Sequence, residues 1–224
     1  VLGRLLARIH NNGASKQAPR RAVLEGDSFA LEPLEFLLSN NFLPPHCAQR
    51  YEHAARRIIA IYGEISRGVP LHRIHGDCHL GNLLRGRDGW FFLDFDDFLT
   101  GPAVQDVWML LPSRDRESLR QRELFLDAYR RFRDFDERWL RLIEPMRALR
   151  YIRYAAWIAR RWNDPAFPKA FPHFGTVPYW EEETKDLQEQ LSIILEEQEG
   201  GLPPDERPSE EELTNKDFFW DWEK

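Results

Sequence analysis

One stretch constrains this chain more than any other: between Leu71 and Asp97 the apolar residues abandon helical spacing for short β-type runs. Leu71–His75, Leu83-Leu84 and Trp90–Leu93 read as strands, and Arg85–Gly89, with Gly86, Asp88 and Gly89, reads as the turn between the last two. The flanks are helical in pattern. Val1–His10 places Leu2, Leu5, Leu6 and Ile9 on one stripe and meets a stop signal at Asn11-Asn12-Gly13; Pro33–Asn40 and His46–Ser66 follow. Beyond the β region, Val104–Leu111, Glu117–Phe132, Glu137–Trp162 and Tyr179–Glu197 continue the helical period, with Pro145 expected to bend the third of these. Residues 14–30 and 163–178 read as loops. The fold class is therefore α+β, mainly helical, with one small β-hairpin region.

Polar groups concentrate at the ends of those strands. His75-Gly76-Asp77-Cys78-His79-Leu80-Gly81-Asn82 follows the first, and Leu93-Asp94-Phe95-Asp96-Asp97 closes the hairpin. Phosphoryl transfer to an alcohol needs such a set: a carboxylate to orient the hydroxyl and accept its proton, and oxygen ligands for a hard cation that bridges nucleotide phosphates. Asp77 and Asn82 stand at D-x-x-x-x-N spacing, in which the Asp serves as base and the Asn as metal ligand, and Asp94 takes the place of the second metal-binding Asp. Three other readings stay open. Asp77 and Asp94 could cap turns; His75, Asp77, His79, Asp94 and Asp96 could hold transition metals in a metallohydrolase; or the groove could serve a non-catalytic scaffold.

Composition narrows the field. From Glu199 to Lys224 there are nine Asp or Glu against three Lys or Arg, and the residues before them balance at 28 each. A neutral body argues against a nucleic-acid partner, which would call for clustered cations. Cys47 and Cys78 form no metal or disulfide pattern and suit a reducing, cytoplasmic setting. No run of 18 apolar residues occurs, so no membrane span is expected. Residues 199–224 read as an acidic flexible tail, with Phe218-Phe219-Trp220-Asp221-Trp222 as a possible docking peptide.

The loop His75–Asn82 with Leu93–Asp97 resembles the aminoglycoside phosphotransferase and choline kinase group. With the stretches 101–110, 143–150 and 161–168 added, the chain from about Val1 to about Glu197 is similar to a bacterial branch of that group made up of Ser/Thr protein kinases of the stress response. The resemblance implies the C-terminal lobe of a protein-kinase-like fold over 1–198, with ATP as donor and Mg²⁺ as cofactor. It implies Asp77 as catalytic base, Asn82 and Asp94 as Mg²⁺ ligands, Asp106 as a buttress bonded to the catalytic-loop backbone, and structural roles for His75 and His79. Asp94-Phe95-Asp96 departs from the D-F-G of ordinary protein kinases and lacks its flexible Gly. Arg150 and Arg153, near Arg147, could shape an acceptor groove or pair with acids such as Glu144. The acceptor is a protein Ser/Thr or, alternatively, a small hydroxylated molecule of the aminoglycoside, choline or homoserine kind. A complete kinase also needs a Gly-rich loop and a strand-borne Lys. Neither is found, so the expectation is that an N-terminal lobe is missing and that this segment alone is inactive.

Overall fold

The computed structural model describes residues 1–200. In chain order the elements are α1 (Leu2–Ala14), a π-type turn (Asp27–Leu31), α2 (Glu32–Ser39), α3 (Pro45–Ile65), β1 (Leu71–Ile74), a 3₁₀ turn (Leu80–Asn82), β2 (Leu83–Gly86), β3 (Gly89–Phe92) and β4 (Leu99–Pro102). There follow α4 (Val104–Leu110), α5 (Arg116–Arg130), a 3₁₀ segment (Glu137–Leu142), α6 (Ile143–Arg160), α7 (Ala166–Ala170) and α8 (Val177–Gln198). The fold is predominantly helical with two small antiparallel sheets, β1 with β4 and β2 with β3. The proposed docking peptide lies outside the described residues.

The chain divides into two compact units. The first comprises Val1–Leu24 with Gly68–Ile143. Its core gathers Leu6 and Ala7 of α1, Cys78, Val107 and Leu110 of α4, and Leu126 and Tyr129 of α5, with Leu83, Phe92 and Phe135 packed against them. Burying that much aliphatic and aromatic surface is what holds α1 and α5 onto the sheets, since each fully buried Leu or Ile side chain contributes about 1.5–3 kcal/mol. In β1–β4 the register sets Leu71 opposite Pro102 and Ile74 opposite Leu99. A parallel bridge from Val23 to Thr100 extends this ladder, with Leu24 N–H donating to the Thr100 carbonyl at 2.8 Å.

The second unit comprises Glu25–Arg67 with residues 144–200. Here α3 lies against α8, and Tyr51 meets Trp180 edge to face at 5.8 Å between centroids. Pro45 opens α3 where its missing N–H costs nothing. Thr176 caps α8 by accepting from Tyr179 N–H.

Four local expectations change. The Asn11-Asn12-Gly13 sequence does not stop α1, which runs on to Ala14. Gly13 is needed for close approach instead: a Cβ there would stand 2.0 Å from the Arg73 carbonyl oxygen. β4 was not anticipated, because Leu-Thr-Gly-Pro carries no β-type alternation and is drawn into extension by its partners. The single helix 137–162 is a 3₁₀ segment followed by α6, so Pro145 falls in the first turn, where a proline is tolerated, and bends nothing. Within the 163–178 loop, Ala166–Ala170 forms the short helix α7.

Candidate active site

The polar loop is fixed from below by one buried carboxylate. Asp106, on the first turn of α4 and 0% exposed, accepts from His75 N–H through Oδ2 at 2.8 Å and from Gly76 N–H through Oδ1 at 2.9 Å. A charged acceptor serving two backbone donors in a dry interior makes strong bonds. Gln105 adds a third tie, its Nε2 donating to the Gly76 carbonyl at 3.3 Å. Gly76 itself has φ +86°, and a Cβ there would sit 2.7 Å from the Asp97 carbonyl oxygen. The glycine therefore serves both a left-handed backbone and the close passage of the 94–97 segment.

Above this base the loop closes on itself. Asn82 Nδ2 donates to the Asp77 carbonyl at 2.9 Å, and His79 N–H donates to the same oxygen at 3.0 Å. His79 Nε2 lies 3.3 Å from Asp77 Oδ2, which aims the half-buried carboxylate. Leu93 then joins the second segment to the first: its N–H donates to the Asn82 carbonyl at 2.9 Å, and its own carbonyl accepts from His75 Nε2 at 2.7 Å. His75 also meets the Phe95 ring at 4.6 Å. Thus Asp94 is held beside the 75–82 loop by the two Leu93 bonds on one flank and the Phe95 ring contact on the other.

Asp94 is exposed, forms no hydrogen bond or ion pair with other described residues, and adopts φ +56°. Asp tolerates that conformation better than most residues, at a modest cost. An unneutralised carboxylate held there is suited to a cation. With Nδ2 of Asn82 turned inward, its amide oxygen is the free end of the group. An amide oxygen and a carboxylate oxygen are hard donors, the kind Mg²⁺ accepts alongside waters and phosphate oxygens. Among the described residues no group of three or more His, Cys, Asp or Glu is placed to hold a metal. Asp96 is exposed beside Asp97.

The two arginines lie in the second unit. Arg150 is 3% exposed. Arg153 is exposed, with its guanidinium 4.4 Å from the Phe29 ring centroid. Nearby Arg147 is buried, its Nε 3.3 Å from Glu144 Oε2, and Gln190 Nε2 donates to the same oxygen at 2.7 Å.

Sequence reasoning missed His10 and Tyr129. His10 is fully buried, with Nε2 2.9 Å from Asp106 Oδ2 and Nδ1 2.7 Å from the Tyr129 hydroxyl. The tautomer in which Nε2–H donates to Asp106 and Nδ1 accepts from Tyr129 satisfies all three groups. The available signal was its position: His10 continues the buried Leu6–Ala7 face of α1 one turn further.

A mainly helical frame with two small antiparallel sheets thus carries a polar loop braced by a buried Asp. The chain matches the family model described as "Phosphotransferase enzyme family" over residues 2–143, and it belongs to that family. It is 38% identical over 197 residues to "Stress response kinase A" of Escherichia coli K12, and 37% identical to "Serine/threonine protein kinase RdoA" of Salmonella typhimurium LT2. Each match covers 88% of this chain and 60% of the relative, so the chain spans about three fifths of their length. Among solved structures, amicoumacin kinase hAmiN in complex with AMP-PNP, Ca²⁺ and Ami superposes with a TM-score of 0.59 at 18% identity, covering 92% of this chain and 60% of that one. A microcompartment-associated aminopropanol kinase gives 0.56 at 15%, covering 89% and 61%. These last two likenesses speak to the fold.

Proposed function

We propose that this chain carries the catalytic part of an ATP-dependent Ser/Thr protein kinase of the bacterial stress response, acting in the cytoplasm. Asp77 is its base, and Asn82 and Asp94 are its magnesium ligands. The observation that carries the reading is the pair of bonds to Leu93, from His75 and to Asn82, which hold Asp94 beside the Asp77 loop. Asp77 orients the acceptor hydroxyl and takes its proton as the new O–P bond forms and the bond from the γ-phosphorus to the β–γ bridging oxygen breaks, releasing ADP, while His79 holds the receiving carboxylate in place. Magnesium supplies charge neutralisation at the phosphates when bound. The protein acceptor is supported by the 37% identity to a relative named as a serine/threonine protein kinase. Groups that cover the nucleotide phosphates belong, in this reading, to a separate N-terminal lobe, so residues 1–224 alone transfer phosphate feebly or not at all.

The test uses the parent protein that carries this chain, with radiolabelled ATP, Mg²⁺, a generic Ser/Thr protein substrate and a panel of hydroxylated metabolites. Label in protein, lost in Asp77→Asn and Asp94→Ala, is the expected result. Label only in an amino alcohol, sugar or antibiotic would move the acceptor to the small-molecule class. Undiminished transfer in either variant would refute the site.

A further inference from the structure

A basic segment of the first unit passes the candidate site with its charge unanswered. Residues 14–24 hold Lys16, Arg20 and Arg21 and no Asp or Glu. All three cations are exposed, and none forms an ion pair or side-chain hydrogen bond with another described residue. Arg21 differs from the other two in being held. The turn from Ala18 to Arg21, closed by Arg21 N–H donating to the Ala18 carbonyl at 3.0 Å, has Pro19 at its second position, where the ring presets the backbone. The residues after it join the β1–β4 ladder: the Ala22 carbonyl accepts from Thr100 N–H at 2.9 Å, and Val23 bridges to Thr100. The side chain is fixed as well, its guanidinium carbon 3.8 Å from the centroid of the Phe98 ring.

Phe98 sets this cation beside the site. Its N–H donates to the Phe95 carbonyl at 3.1 Å, closing a turn that starts one residue after Asp94. The neighbouring Asp97 carbonyl oxygen lies 2.7 Å from where a Cβ on Gly76 would stand, so this segment runs alongside the peptide that leads into Asp77. With no carboxylate upon it, the guanidinium keeps its planar fork of N–H donors for an incoming one, which that fork fits edge to edge. Resting on the protein-kinase reading above, we propose that Arg21 is a specificity-determining residue: it binds an Asp or Glu side chain of the acceptor, close in sequence to the Ser or Thr that receives the phosphoryl group. Asp96 and Asp97 are exposed on the same segment as Phe98 and repel acids around them. The preference is therefore for an acid at the position that reaches Arg21, and not for acidic substrates at large.

The parent protein that carries this chain is assayed with Mg·ATP on a Ser peptide flanked by alanines, and on a series in which a single Glu replaces each flanking alanine in turn. At one position or its neighbour, Glu should raise kcat/KM over the alanine peptide by about fivefold or more, chiefly through KM, as a charge-assisted hydrogen bond can supply. Lys at that position should fall below alanine. Arg21→Ala should bring the ratio of Glu to alanine peptide close to one, and Arg21→Lys, which keeps the charge and loses the fork, should restore part of it. Phe98→Leu, which leaves the arginine and removes the ring that holds it, should lower the ratio too. No gain for Glu at any position, a gain that persists in a folded Arg21→Ala protein, or an equal loss on both peptides in that variant would overturn the proposal and leave the protein-kinase reading standing. Label in none of the peptides would remove that reading, and this inference with it.

Discussion

His10 and Asp106, 96 positions apart in sequence, meet at 2.9 Å with both side chains fully buried. Asp106 Oδ2 thereby accepts from His10 as well as from His75 N–H, and α1 is tied to the 75–82 loop through one carboxylate. Asp106→Asn replaces a charged acceptor of three donors by an amide whose NH₂ must face one of them. We expect a loss of about 2–3 kcal/mol in urea unfolding of the chain. His10→Phe, which leaves Asp106 and Tyr129 short of a partner each, should cost about 1–3 kcal/mol. A loss below about 0.5 kcal/mol for either, the range of ordinary surface substitutions, would show that this bond does not brace the loop.

Asp94 separates activity from stability. Because its carboxylate is exposed and pairs with no other described residue, Asp94→Asn, which keeps a side chain tolerant of φ +56°, should leave the unfolding midpoint of the chain almost unchanged. In the parent protein the same change should remove measurable phosphotransfer, and Asp77→Asn should lower kcat by about 10²–10⁴-fold, the usual worth of a general base. A stability loss large enough to explain the activity loss would count against a direct role for Asp94.

Gly76→Ala tests the loop backbone. Alanine at φ +86° is strained by about 1–2 kcal/mol, and the added methyl would press on the Asp97 carbonyl oxygen. The sum should exceed about 2 kcal/mol in thermal or urea unfolding, beyond the strain term alone. Gly89→Ala is the matched control, since its left-handed glycine has open space around it. Equal losses at the two positions would mean that the approach of the 94–97 segment contributes nothing.

Stability should fall on acidification because of His72. Its folded pKa is lowered from 6.5 to about 3, chiefly by burial and then by His10 and Arg133, with Asp106 acting in the opposite direction. Asp134 and Asp136 line, together with His72 and Arg133, one cavity of the first unit. The unfolded chain binds a proton near pH 6.5 that the folded chain refuses until about pH 3, so the group's contribution is full above pH 6.5 and is lost as pH falls toward 3. Replacement by Phe should flatten the pH dependence of the unfolding free energy across that window. An unchanged slope would show that His72 is protonated in the folded chain.

Much of this architecture was legible because period and composition act locally. The stripe of α3 appears in Tyr51, Ala54, Ala55, Ile58, Ile59 and Tyr62, all of them buried. The hairpin of β2 and β3 was announced by its glycines. What escaped reading depends on distant partners. Leu99–Pro102 becomes a strand because β1 and Val23 lie on either side of it. His10 looks like a helix-end polar residue until Asp106 and Tyr129 arrive from 96 and 119 positions away. Pro145 shows a subtler failure: periodicity ran through residues 137–162, yet the proline marks a beginning there. For the site, residue types and spacing carried the expectation of phosphoryl transfer, while the ties through Leu93, a backbone group, leave no trace in side-chain identity.

The pairing of β1 with β4 reaches beyond the sheet itself. β1 runs directly into His75 and Gly76, and β4 is followed within a few residues by Asp106, so the alignment of Ile74 with Leu99 sets where that carboxylate meets the loop amides. Slipping the ladder by a single residue would turn every side chain to the opposite face and carry the carboxylate away from both amides. A molecule that zipped these strands in the wrong alignment would lack both bonds that brace the loop, so the ladder works as a built-in inspection of its own assembly.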